Sequence, residues 1–227
     1  MSIIWVNKNE IRSKVARKII ATDVVLDVGS GISPQSFFRP RVHICLDPYI
    51  PYLERVQKNV RYHPRYILIN CTWDVLMKRL LPKSVDSVFA LDFIEHLSKS
   101  EGIEFLREAE RIARRQIVIY TPLGFYPQNY DENDSVDRWG MRGGRWQSHR
   151  SGWAVEDFGD SWELICCKEY HYVDQNEQPL EKPFGAIWGF RNIRNENELQ
   201  SGGIWCIKAL LQRITGNFRH FTRMSSR

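Results

Sequence analysis

The sequence predicts an α/β protein built on a mainly parallel sheet with right-handed crossovers. Short apolar runs of strand length alternate with segments of helical period from residue 9 to residue 121. Strands separated by helices run parallel and cross over right-handed. Two of the apolar runs, Val24 to Val28 and Val42 to Leu46, also meet acids, Asp27 and Asp47, with a Gly29-Ser30-Gly31 turn between them. In such sheets ligands sit outside the carboxyl ends of the strands, so the same residues mark a candidate site.

Taken in order, Asn9 to Ile20 is a basic, partly amphipathic helix. The first strand and its glycine turn follow, then Ser33 and Pro34, suited to cap and open a short helix from Gln35. Strands are expected at Val42 to Leu46, Tyr66 to Ile69, Ser84 to Leu91 and Gln116 to Thr121. Between the last two, Ser98-Lys99-Ser100-Glu101 has the form of a capping box. It opens a helix with an apolar face of Ile103, Leu106, Ala109, Ile112 and Ala113, and with Arg114 and Arg115 at its negative end. Pro122 to Trp162 breaks the rhythm and is too long for a plain connection, which marks it as a functional insertion. Glu156 and Asp157 within it read as first-turn acids of a short helix. Glu163 to Val173 and Pro183 to Asn192 read as the last strands, joined through Asp174-Gln175-Asn176-Glu177. After them Ile204, Trp205, Ile207, Leu210, Leu211 and Ile214 offer an apolar helical face ahead of a basic tail.

With 227 residues, 43% of them hydrophobic, the chain suits one domain with an insertion, and we place that domain at 1–200 and the basic helix and tail at 201–227. A net charge of +5 with both signs mixed along the chain permits an acidic partner without demanding one. Five cysteines without C-x-x-C spacing argue against a disulfide framework or a zinc site, and no metal cluster is visible. No signal-type segment and no apolar run of roughly 18 residues is present, so a cytoplasmic protein is the simplest expectation.

The turn narrows the ligand. Gly31-Ile32-Ser33-Pro34 lacks the third glycine of the dinucleotide fingerprint, which disfavours NAD and suits a cofactor without phosphates, such as S-adenosyl-L-methionine. The stretch Val85-Asp86-Ser87-Val88-Phe89-Ala90-Leu91-Asp92-Phe93-Ile94-Glu95-His96-Leu97 then resembles the fourth-strand motif of class I S-adenosylmethionine-dependent methyltransferases, including their type 11 group. It is joined in order by Leu26-Asp27-Val28-Gly29-Ser30-Gly31, by Leu46-Asp47-Pro48 and by Gln116-Ile117-Val118-Ile119-Tyr120-Thr121-Pro122, a likeness covering about residues 22 to 125. His149-Arg150-Ser151-Gly152-Trp153 and Phe184-Gly185-Ala186-Ile187-Trp188 look like later segments of bacterial members associated with surface-glycan pathways. The resemblance implies a Rossmann-like, doubly wound, three-layer α/β fold of seven strands in the order 3-2-1-4-5-7-6, with strand 7 antiparallel.

It also implies site roles. Asp27 would stand near the methionine ammonium, Gly29, Ser30 and Gly31 would let backbone approach the cofactor, and Asp47, with Pro48 behind it, would accept from the ribose hydroxyls. Where relatives place an acid for the adenine amine, this chain has Asn70-Cys71-Thr72, with Asp74 as a displaced alternative. Leu91, Asp92 and Phe93 would meet cofactor and substrate, with Asp92 either at the transfer site or capping a helix. His96 either braces its loop or exchanges protons, and His149 is the first candidate for a base acting on a hydroxyl acceptor, set against an ordinary loop histidine.

The expected function is methyl transfer from S-adenosyl-L-methionine, leaving S-adenosyl-L-homocysteine, to an oxygen of a small sugar or glycan-like acceptor. The alternatives are an RNA methyltransferase, against which the basic residues form no stripe before the tail, and a non-catalytic member of the same fold. The tail offers peripheral contact with an anionic inner membrane surface as an alternative to packing on the domain.

Overall fold

A computed structural model describes residues 1–61, 63–130 and 135–193. Its sheet has eight strands: β1 (Ser2–Trp5), β2 (Val24–Val28), β3 (Val42–Leu46), β4 (Tyr66–Ile69), β5 (Val85–Leu91), β6 (Ala113–Leu123), β7 (Glu163–Val173) and β8 (Pro179–Asn192). The helices are α1 (Lys8–Lys18), α2 (Ile50–Asn59), α3 (Trp73–Met77) and α4 (Lys99–Ile112). The strand order is β1-β7-β8-β6-β5-β2-β3-β4. Pairings are parallel except that β8 runs antiparallel to both β6 and β7. The expected seven strands thus become eight by one addition at the β7 edge, while the other seven keep the expected succession. The extra strand, Ser-Ile-Ile-Trp, escapes sequence reading because all four positions are exposed and show no alternation.

The sheet is covered on both faces, and the two-residue period of its strands shows it. In β6, Ile117 and Ile119 enter one core with Leu26, Phe105 and Trp153, while Val118 and Tyr120 enter the other with Val25, Ile11 and Val15. The first core lies under α3 and α4, the second under α1. Among the described residues no helix is long and apolar enough to cross a membrane. Cys45, Cys71, Cys166 and Cys167 are free thiols, the first and last two buried. Cys206, the expected apolar helix and the basic tail at 201–227 lie outside the described residues.

Three local expectations are corrected. No helix follows the glycine turn from Gln35. The Gln35 N–H donates instead to the Asp27 carboxylate, and the Gln35 side chain accepts from Phe37 N–H, so side-chain acceptors take the donors a helix would use. Arg114 and Arg115 belong to β6, not to the end of α4, and Arg114 pairs with Asp86 on the neighbouring strand. On α4, Ser98 does accept from Glu101 N–H while Glu101 accepts from Ser98 N–H, but the buried face is Gly102, Phe105, Leu106, Ala109 and Ile112, with Ile103 39% exposed.

The insertion is packed rather than draped. Its Trp153 is fully buried, and its indole N–H lies against the Ile94 carbonyl and Ser151 Oγ. Gly102 on α4 faces this ring, and a Cβ there would fall 2.4 Å from Trp153 Cζ2. Replacing a helical glycine gains about 1 kcal/mol in propensity, whereas overpacking a rigid core costs about 1–3 kcal/mol. Gly102→Ala is therefore expected to lower the urea midpoint; a rise would show that Trp153 does not sit against α4.

Candidate functional site

The site forms where β2, β3, β4 and β5 end. After β2 the chain turns back through Gly29 (φ +64°) and Gly31 (φ +53°), conformations that L side chains adopt with strain. The Leu46 carbonyl accepts from both Gly29 N–H (2.8 Å) and Ser30 N–H (3.2 Å). Asp47 Oδ2 then accepts from Gly31 N–H (3.0 Å) and its Oδ1 from Tyr49 N–H (2.9 Å). The Asn70 amide donates to the carbonyls of Asp47 and Pro48, so its two N–H groups hold the β3 turn. Burial pushes the Asp47 carboxyl up to about 6, against the pull of the Tyr49 and Gly31 N–H groups.

Asp27 is buried deeper. Its Oδ2 accepts from Gln35 N–H (2.6 Å) and lies 3.1 Å from His43 Nε2, so the acid fixes the loop that replaces the expected helix.

A cleft of about 550 Å³ opens beside these strand ends. Gly29, Asp47 and Pro48 line one part of it, with Thr72, Trp73 and Asp74 from the start of α3 nearby. Asp92, Phe93 and His96 line the side below β5. Asp27, Ser30, Gly31, Asn70, Cys71, Leu91 and His149 are not among its lining residues, and of these Asp27, Gly31 and Asn70 shape it from behind. A Cβ at Gly29 would fall 2.3 Å from the Phe93 ring, so this narrow passage requires glycine for space as well as for its positive φ.

Asp92 has φ +51° and its N–H donates to the Tyr120 carbonyl (3.1 Å), which turns the chain off β5. Its side chain is open to the cleft yet ringed by protein, and this desolvation pushes its carboxyl up to about 6, with Arg138 opposing. Glu95, 1% exposed, follows in a short 3-10 turn, and neither of its carboxylate oxygens has a hydrogen-bond partner. Burial first, and then the charge of Asp92, raises the Glu95 pKa well above its ordinary value.

The insertion closes on this turn. The Glu95 carbonyl accepts from Arg150 N–H (2.7 Å) and Ser151 N–H (3.1 Å). His149 Nδ1 faces the Tyr126 carbonyl at 2.6 Å and His96 Nδ1 the Ser148 carbonyl at 3.1 Å, with the two rings 4.9 Å apart. A carbonyl can only accept, so each Nδ1 carries the proton and each lone pair is on Nε2. Burial lowers His96 to about 3, assisted by His149, and lowers His149 to about 4. Such imidazoles are weak bases toward a hydroxyl; what they keep at neutral pH is a lone pair.

Sequence reasoning missed Tyr52, Trp73, Leu97, Glu101 and the segment Arg145, Trp146, Gln147 and Arg150, all of which line the cleft. Tyr52 carried a signal only in retrospect: its hydroxyl donates to buried Asp137, a contact that ties α2 to the insertion.

No family model matches the chain, and no curated protein matches it. Its fold is similar to that of three solved structures. The YcgJ protein from Bacillus subtilis superposes with a TM-score of 0.52 at 13% identity, over 82% of this chain and 99% of that one. A Bacillus halodurans protein assigned as a methyltransferase gives 0.55 at 12%, over 82% and 100%. The N-terminal domain of EvdMO1, crystallised in the presence of S-adenosylhomocysteine and D-fucose, gives 0.51 at 13%, over 82% of each. At such identities the likeness is one of fold.

The unpartnered Glu95 has a thermodynamic signature. A carboxyl whose pKa is raised by folding binds more protons folded than unfolded, so stability is lost as pH rises above the ordinary value of 4.5. Glu95→Gln removes the ionisation and keeps the shape. The variant should gain on the wild type as pH rises above the ordinary carboxyl range in chemical denaturation; a pH-independent difference would place Glu95 in a solvated or paired setting.

Proposed function

We propose that this chain is an S-adenosylmethionine-dependent methyltransferase acting on a small acceptor, an oxygen of a sugar or glycan-like molecule, and that it is allied to the type 11 group. The observation that carries the reading is the shared wall of Gly29 and Asp47 at the carboxyl ends of β2 and β3, where a parallel sheet takes a nucleoside. The absence of a side chain at Gly29 leaves backbone exposed beside Phe93, and a buried carboxylate stands next to it, which fits an adenosine rather than a pyrophosphate.

In this reading Asp47 holds the ribose hydroxyls. Each of its oxygens already accepts one N–H, which fixes the carboxylate plane and leaves further lone pairs for a vicinal diol. The adenine side shifts from Asn70, which does not line the cleft, to Thr72 and Asp74, which do. Asp27 acts through the Gln35 loop and His43 rather than by direct contact. When bound, the cofactor supplies a methyl carbon activated by its sulfonium. The chain's task is then to align an acceptor oxygen with that carbon and exclude water. Asp92 and His96 on one side and Arg145, Gln147 and Arg150 on the other offer the mixed donors and acceptors that a polyol requires. The presence of D-fucose in the EvdMO1 crystal supports the sugar class for a protein of this fold.

Calorimetric titration with S-adenosylhomocysteine and with NAD tests the cofactor: the first should bind and the second should not. A hundredfold excess over Kd should stabilise the chain by about 2.7 kcal/mol. Asp47→Ala should weaken that binding by about 10- to 100-fold, the worth of a charged hydrogen bond, with the fold retained. Equal binding by wild type and variant would remove the ribose role.

The histidines bear on pH dependence. Because burial holds His96 at about 3 and His149 at about 4, both are unprotonated throughout the neutral range. Turnover should therefore be flat between about pH 6 and pH 8 as far as these groups are concerned. A rate rising through the ordinary imidazole pKa would show that one of them is a solvated base.

A further inference from the structure

We propose that Glu95, His96 and His149 together form a binding site for one divalent transition-metal ion of the zinc class. A carboxylate oxygen of Glu95 and one ring nitrogen from each histidine lie within 4.8 Å of one another. Ligand atoms around zinc at about 2.1 Å stand about 3.4 Å apart, so rotamer adjustments of about an ångström would close the set. Glu95 is 1% exposed and neither of its carboxylate oxygens has a partner within hydrogen-bond distance, with Asp92 and Thr121 as its polar neighbours, so the set of donors has room for a cation. The Thr121 hydroxyl beside it is likewise buried.

The outer contacts have the form that metal-bound imidazoles take. His96 and His149 each present Nδ1 to a backbone carbonyl, of Ser148 and of Tyr126, which orients the rings and leaves Nε2 as the donor. Two imidazoles and one carboxylate suit zinc, iron, cobalt or manganese, whereas calcium and magnesium select all-oxygen sets. Three protein ligands leave a coordination position open, and His96 lines the cleft. Resting on the methyltransferase reading, that open position would polarise the acceptor oxygen, whose proton would pass to the Asp92 carboxylate lining the same cleft as the oxygen–methyl bond forms and the sulfur–methyl bond breaks, work the buried imidazoles do poorly alone. The sequence shows no metal-ligand spacing because the ligands come from the β5 turn and from the distant insertion, brought together by contacts such as the Glu95 carbonyl accepting from Arg150 and Ser151 and the Ile94 carbonyl accepting from the Trp153 indole.

The full chain, stripped with chelator, is titrated with Zn²⁺ by calorimetry beside Glu95→Gln, His149→Ala and, as a control, His63→Ala at an exposed histidine. One ion per chain is expected. Glu95→Gln and His149→Ala should each weaken it by at least about 10-fold, since even an outer-shell partner is worth that much, and His63→Ala should leave it unchanged. X-ray absorption of zinc-loaded wild type, which needs no variant to fold, should show nitrogen and oxygen ligands with two imidazoles. Absence of binding, binding indifferent to both substitutions, or sulfur in the coordination shell overturns the site. S-adenosylhomocysteine affinity is measured on the same metal-free chain, so failure of the cofactor reading and failure of the metal site are read separately.

Discussion

Two residues at the end of β3 organise the carboxyl edge of the sheet. Leu46 gives its carbonyl to two successive N–H groups of the β2 turn, and Asp47 gives one carboxylate oxygen to that turn and the other to its own. The Asp47 N–H donates to the Ile69 carbonyl of β4, and Asn70 returns two hydrogen bonds to the Asp47 and Pro48 carbonyls. Three strand ends are thereby knotted through one dipeptide. The turns have little regular structure of their own, so their backbone donors would otherwise need water, and the open cleft beside them would lose its shape. The placement of Gly29 against Phe93 depends on this knot, because a shift in the β2 turn would move the glycine into or away from the ring.

Much of this edge could be read in advance because it rests on local rules. Gly29 and Gly31 are glycines where φ is positive, the acids of β2 and β3 sit at strand ends, and Ser98 with Glu101 caps α4. What escaped reading rests on contacts between distant segments. Ile103 looked inward by spacing alone, yet Phe105 is the residue that reaches Trp73 and Phe93. Ser33 and Pro34 were good helix openers, but the buried Asp27 carboxylate claimed the Gln35 N–H first. The approach of His149 to His96 has no sequence signal, since it depends on how the insertion folds back over the β5 turn.

Strain and unsatisfied polarity gather at that same turn. Asp92 takes a left-handed conformation, and the Glu95 carboxyl is buried beside the Asp92 and Thr121 side chains. The core around it is built of alternating aliphatic residues in the strands and aromatic edges packed between helix and sheet. A strained backbone beside buried acids is the kind of local cost that a functional region carries.

The β7–β8 hairpin belongs to a different part of the design. Its tip is a self-contained turn in which Asp174 Oδ1 accepts from Asn176 and Gln178. The hairpin holds the start of the insertion through Tyr126 Oη donating to the Val173 carbonyl and through a paired exchange between Gln175 and Asn129. None of these bonds touches the β2, β3 or β4 ends. Lengthening or shortening the hairpin by a pair of residues would reposition the insertion while leaving the dipeptide knot untouched, so one half of the cleft can diverge between lineages as the other stays constant. The two walls of the cleft are in that sense separable parts, and one can be altered without disturbing the other.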